Sequence, residues 1–155
     1  MQAALDARTI AEQTLMEHRT LEYVKQALRV TLQWDVDSVG ADRKLSSVRF
    51  IAESLQRHLV RLMELEETGG YMQAVVEEKP HLADQIVRLR ADHEVFRRES
   101  DALLPKHCDG DGLAEEALVQ LGDALLHFLD RLDEHDRRET NLIQIAFCED
   151  DGGEG

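Results

Sequence analysis

The sequence predicts an all-α fold, an antiparallel up-down-up-down four-helix bundle, and three observations lead there. The 155-residue chain is 43% hydrophobic but only 5% aromatic, holds two prolines, and is rich in Leu, Ala, Glu and Arg, the composition of a helical domain. Its apolar residues recur at alternating steps of four and three, the period of one helix face. The segments that carry this period are separated by short runs of Gly, Pro and Asp, and neither a strand pattern nor an internal repeat competes with it.

Taken in order, the first helix is expected from about Asp6 to Gln33, with a seam of Ala11, Thr14, His18, Leu21, Lys25, Leu28 and Leu32. The run Asp35-Val-Asp-Ser-Val-Gly40 ends it with turn-forming residues. The second helix is expected from about Leu45 to Thr68, its seam Val48, Ala52, Leu55, Leu59, Leu62 and Glu66, stopping at Gly69-Gly70. Tyr71 to Glu78 reads as one or two short helical turns. Because proline suits a first helical turn, the third long helix is placed from Pro80 to Leu104, with Leu82, Ile86, Leu89, His93, Phe96, Ser100 and Leu103 on its seam. Pro105, Cys108-Asp-Gly110 and Asp111-Gly112 form the next loop. The fourth long helix runs from about Leu113 to Cys148 along Ala114, Leu118, Leu121, Leu125, Phe128, Leu132, His135, Glu139, Leu142 and Ala146. Residues 1–148 then form the bundle, and 149–155 a flexible acidic tail.

Charge narrows the partners. Lys and Arg number 18 against 32 Asp and Glu, a net charge of −14, which favours a cationic partner and disfavours nucleic acid and anionic membrane. Simple solubility explains the same acidity. No stretch approaches a membrane span, and the first residues lack the basic-then-apolar layout of a signal peptide. Two cysteines, Cys108 and Cys148, make neither a metal pair nor a disulfide framework, so a cytoplasmic location is the expectation.

The informative residues are the polar ones inside the seams. A buried imidazole or carboxylate without a partner costs roughly 1–3 kcal/mol, so His18, Glu66, His93, His135 and Glu139 need a shared explanation. Counting along antiparallel helices brings His18 level with residues 62–66. His93 lies eleven residues before Leu104, whereas His135 lies twenty-two after Leu113, so the last helix must overhang the third or begin obliquely. If the levels coincide, imidazole nitrogen and carboxylate oxygen meet in a set suited to iron, manganese or zinc. Taken singly, each histidine is more simply a hydrogen-bonded core residue. The Glu-x-x-His spacing of ferritin-like bundles is absent from these seams.

The ordered set resembles the hemerythrin-like, or HHE cation-binding, family. The resemblance spans roughly Leu15 to Glu149: Glu17-His18, then Leu65-Glu66-Glu67-Thr-Gly-Gly-Tyr71, then Pro80 and Leu89-Arg-Ala-Asp-His93-Glu, then His135-Asp-Arg-Arg-Glu139 and Ala146-Phe-Cys-Glu-Asp150. It implies a non-haem iron site of one or two ions, or another divalent transition metal, with His18, His93 and His135 as ligands and Glu66 and Glu139 as bridging carboxylates. It implies binding or sensing of oxygen, nitric oxide, peroxide or iron, read out by a protein partner. Weak redox chemistry toward peroxide is the enzymatic alternative, and a metal-free bundle acting as an interaction module the structural one.

The chain departs from the family where a second-helix histidine is expected, which is Leu62, and where an oxygen carrier has a further third-helix histidine, which is Arg97. His58, one turn before Leu62 on a neighbouring line, is a replacement ligand with a shifted register or else a surface histidine. Glu22 reads as a flank residue, His81, His107 and His127 as solvated, and Trp34 and Tyr71 as core lids or a partner surface or ligand gate.

Overall fold

The computed structural model describes residues 6–37, 39–103 and 114–147. Helix α1 spans Ala7–Gln33, α2 Ala41–Glu67, the short α3 Tyr71–Glu78, α4 Ala83–Leu103 and α5 Ala114–Phe147, with a 3-10 turn at Pro80–Leu82 before α4. The four long helices form the bundle, and no strand occurs among the described residues. None of these helices is long and apolar enough to cross a membrane. The loop at Pro105 to Gly112, with His107 and Cys108, and the tail from Cys148 onward lie outside the described residues.

Local chemistry fixes the ends. Asp6 caps α1 by accepting from the Thr9 amide at 2.7 Å. At the other end Lys44 reaches back from α2 and donates to the carbonyls of Leu32 and Trp34 at 2.9 and 2.6 Å, satisfying orphan acceptors at the end of α1. The α1–α2 turn closes when Asp37 accepts from the Gly40 amide through both its carbonyl and its side chain. That turn leaves room for α2 to begin at Ala41, a turn earlier than the Leu45 read from the seam. Trp34 is not a core lid, since it is 62% exposed.

The seams face inward as expected. Val48, Ala52, Leu55, Leu59 and Leu62 of α2, Ile86, Leu89 and Phe96 of α4, and Leu125, Phe128, Leu132 and Leu142 of α5 are all buried. Side-chain pairs give the directions. Lys25 with Asp133 and Arg29 with Asp130 run α1 against α5, Gln56 with Asp101 and Glu67 with Arg97 run α2 against α4, and Asp92 with Arg138 and Glu99 with Arg131 run α4 against α5. The bundle is therefore antiparallel around its perimeter. The mismatch in helix heights resolves as an overhang: α5 has 34 residues against 21 in α4. Its first turns extend past Leu103 and pack against the end of α1, where a Cβ on Gly122 would stand 3.6 Å from Leu32.

The apolar core comes in two parts. One gathers Leu21, Leu28, Val48, Leu55, Leu62, Phe96, Phe128 and Leu132 with their neighbours. The other gathers Ala11, Tyr71, Met72, Val75, Ile86, Leu89, Leu142 and Ile143, and is closed at its end by α3. The polar seam residues lie between them along α1, α4 and α5, and Glu66 follows the last α2 residue of the first cluster.

Candidate metal centre

Each long helix delivers its polar residue to one level of the bundle. Glu66, His93, His135 and Glu139 are at most 2% exposed, and the His18 side chain is 10% exposed. Their inner atoms converge. His93 Nε2 and His135 Nε2 are 3.2 Å apart, His135 Nε2 is 3.4 Å from Glu139 Oε2, and His18 Nε2 is 3.1 Å from that same oxygen. Glu66 spans the level, with Oε1 3.5 Å from His18 Nε2 and Oε2 3.9 Å from His93 Nε2. His18 Nε2 and Glu66 Oε2 are fully buried, yet neither has a hydrogen-bond partner among the described residues. Such orphaned atoms are costly in a metal-free core and are what a cation would satisfy.

The outer face of each imidazole meets a carboxylate that is held by a cation. His93 Nδ1 is 2.6 Å from Glu67, which Arg97 holds at 2.8 Å. His135 Nδ1 is 3.0 Å from Asp92, held by Arg138 at 2.8 Å. His18 Nδ1 is 3.7 Å from Asp136, held by Lys25 at 2.7 Å. In each case the carboxylate is the sequence neighbour of a seam residue on the adjacent helix: Glu67 beside Glu66, Asp92 beside His93, Asp136 beside His135. Neighbours on a helix are turned about 100° apart, so a residue one place off its own seam reaches the seam of the next helix. Glu67 and Asp92, at hydrogen-bond length, fix the orientation of the His93 and His135 rings and aim Nε2 inward, the arrangement usual around metal-bound histidine.

Further contacts complete the site. Tyr71, entirely buried, donates its hydroxyl to Glu139 Oε1. Phe96 packs edge-on against His135 with ring centroids 5.2 Å apart, separating the polar level from the apolar core beyond. Lys25 is 1% exposed and meets Glu22, Asp133 and Asp136 at 2.8, 2.7 and 2.7 Å, which makes Glu22 a flank residue.

Protonation follows from these surroundings. Burial, with His135 adding repulsion, pushes His93 down to about 4 despite Glu67, and burial also lowers His135 against the pull of Asp92. Both rings are therefore neutral near pH 7, the form that binds metal. Burial alone would lower His18, but the Glu139 and Asp136 carboxylates outweigh it and raise it. Burial raises Glu139, and His18 opposes that. Burial opposes ionisation of Glu67, yet Arg97 and His93 hold it below the usual carboxylate range.

Of the residues expected from sequence, His18, Glu66, His93, His135 and Glu139 are brought together. His58 is not: it lies exposed on α2, eight residues before Glu66, and its place immediately before the buried Leu59 turns it away from the interior. Leu62 is 5% exposed and packs in the apolar core beside the site. Arg97 serves as the clamp on Glu67. His81 and His127 are exposed. Sequence reading missed Glu67, Asp92, Asp136 and Tyr71 as partners of the site. The signal available was adjacency to a seam histidine or glutamate, together with a lysine on the α1 seam.

Two donor groups share one carboxylate. His93, His135 and Glu139 form one, His18, Asp136 and Glu139 the other, and in each group the ligand atoms lie within 4.8 Å of one another. The buried cluster can hold a metal ion. No family model, curated protein or solved structure matches the chain.

Proposed function

We propose that this is a hemerythrin-like metal-binding protein that holds one or two non-haem iron ions in the bundle core and binds or senses a small ligand: oxygen, nitric oxide, peroxide or iron itself. The observation that carries the reading is the convergence of three imidazole Nε2 atoms on two buried carboxylates, with His18 Nε2 and Glu66 Oε2 unsatisfied. The donor chemistry fits: nitrogen and carboxylate oxygen suit a first-row transition ion, and both strongly buried imidazoles are already neutral.

In this reading His18, His93, His135, Glu66 and Glu139 hold the metal, which supplies a redox-active Lewis acid for a small ligand. The chain's own residues do the rest. Glu67 and Asp92 keep the His93 and His135 rings turned, Arg97 and Arg138 keep those carboxylates in place, and Tyr71 holds one oxygen of Glu139. Two grooves lie beside α1, and the first of them reaches this level through His18. One, of about 690 Å³ between α1 and α5, is lined by His18, Lys25 and Asp136 among others. The other, of about 750 Å³ between α1 and the end of α2, is lined by Thr14, Leu62 and Gly70. Leu62 offers no donor, so a metal held here would lack a ligand from that position of α2 and could take a small ligand instead.

The test is elemental analysis of protein purified without added metal, beside a His135→Ala/Glu139→Ala variant. Near-stoichiometric iron that the variant lacks supports the reading. A wild type that holds no metal even after anaerobic ferrous loading overturns it. The alternative is then a polar network that specifies packing in an interaction module, which Leu62 and Arg97 at two expected histidine positions favour. Stoichiometric rather than repeated consumption of hydrogen peroxide by the loaded protein argues against an enzyme.

A further inference from the structure

Asp136 breaks the pattern of the other two outer carboxylates. Glu67 and Asp92 stand at hydrogen-bond length from their histidines, 2.6 and 3.0 Å, but Asp136 Oδ1 is 3.7 Å from His18 Nδ1, too far for a hydrogen bond. Its other oxygen is taken by Lys25, and no hydrogen bond reaches Oδ1 among the described residues. Asp136 thus does little to orient His18. It lies instead within 4.8 Å of both His18 and Glu139 through their ligand atoms. His18 is the residue whose Nε2 is buried without a hydrogen bond: it stands 3.1 Å from Glu139 Oε2 but off the line a ring N–H would need.

Building on the metal-binding reading above, we propose that Asp136 is itself a metal ligand, through Oδ1, and that the centre has two unlike positions for divalent ions. One position is nitrogen-rich and closed, formed by His93, His135 and Glu139. The other is oxygen-rich, formed by His18, Asp136 and Glu139, and Glu66 spans the two because its oxygens face His18 and His93 separately. The second position has one imidazole and borders the α1–α5 groove, which His18, Lys25 and Asp136 line. A harder ion such as manganous or ferrous ion suits it, and it exchanges with solvent more readily than the closed position. Lys25, bound to Glu22, Asp133 and Asp136, fixes the position of the Asp136 carboxylate for that role.

The experiment is anaerobic titration with Mn²⁺ alone, read as bound ions per chain by equilibrium dialysis and elemental analysis. Wild type is expected to saturate at two ions, the second weaker, and Asp136→Asn at one. Glu67→Gln and Asp92→Asn, which remove only orienting hydrogen bonds, keep two ions with affinity weakened about 10–100-fold. Asp133→Asn, which removes a different partner of Lys25, also keeps two.

A wild type that saturates at one ion, or an Asp136→Asn variant that still takes two, overturns the proposal and leaves the metal-binding reading standing. A wild type that binds none overturns both. Should Asp136→Asn lose its helical circular dichroism, Asp136→Glu decides. A ligand displaced by one methylene weakens the second ion about tenfold or more while the first is unmoved, and an unchanged second affinity rejects Asp136 as a ligand.

Discussion

His93 carries the clearest consequence at the scale of single residues. Its ring is buried between His135 and Glu67 and is pushed from the ordinary 6.5 down to about 4. Between those values the unfolded chain takes up a proton that the folded one refuses, so this contribution is fully present above about pH 6.5 and is lost as the pH falls toward 4. In metal-free protein the stability difference between wild type and His93→Gln, from urea unfolding, is therefore expected to shrink steadily over that interval. A flat difference would mean that the ring titrates normally. Tyr71 is the second case. Its hydroxyl is the donor that Glu139 Oε1 receives at 1% exposure, so Tyr71→Phe leaves a buried carboxylate oxygen without a partner. The expected cost to the metal-free protein is about 1–3 kcal/mol by denaturant unfolding, and an unchanged midpoint would mean the hydroxyl is idle.

The α2–α3 corner decides matters at the scale of elements, because it sets both Glu66 and Tyr71. Gly69 has a φ of 68° and open space around its missing Cβ, so Gly69→Ala is expected to cost only the left-handed backbone, roughly 1–2 kcal/mol. Gly70 is different in kind. A Cβ there would fall 2.1 Å from the Leu65 carbonyl oxygen and 2.6 Å from that of Glu66, both backbone atoms that cannot turn aside. Gly70→Ala must open the corner and is expected to lose metal as well as stability, whereas Gly69→Ala keeps its metal; thermal melts with bound-metal analysis separate the two.

The same corner illustrates what the sequence could convey. Gly69-Gly70 was legible as a helix stop, and the four seams were legible because one period governs each helix from end to end. The buried polar cluster was legible for the same reason, since a polar residue on an apolar stripe violates the pattern that surrounds it. Glu67, Asp92 and Asp136 were not, because each sits one place off its own seam, where a carboxylate is ordinary. Their meaning comes from the helix next door and depends on a register that residue counting left open between α4 and α5. His58 misled because its spacing from Leu62 is helical, while its own line on the wheel faces outward.

At the scale of the whole molecule, metal is expected to be a large share of the stability. A cation that binds only the folded chain adds about 2.7 kcal/mol at a hundredfold excess over its Kd. For a domain of this size that corresponds to a rise in Tm of roughly 5–10 °C. Ferrous iron under anaerobic conditions is expected to produce it and a chelator to reverse it, measured by circular dichroism. A Tm indifferent to both would favour the metal-free alternative.

The division of the apolar interior bears on how the chain comes apart. Among the described residues the two buried apolar clusters are separate, with the polar level at His18, Glu66, His93, His135 and Glu139 between them, so a cation there would join one end of the bundle to the other. Such halves can open as separate units, each with its own local free energy. Metal-free protein should then exchange the amides around Tyr71–Glu78 and Ile143 faster than those around Leu55 and Leu129, while loaded protein protects both ends together. The centre would in that case act as a clasp, turning two loosely joined folding units into one cooperative one.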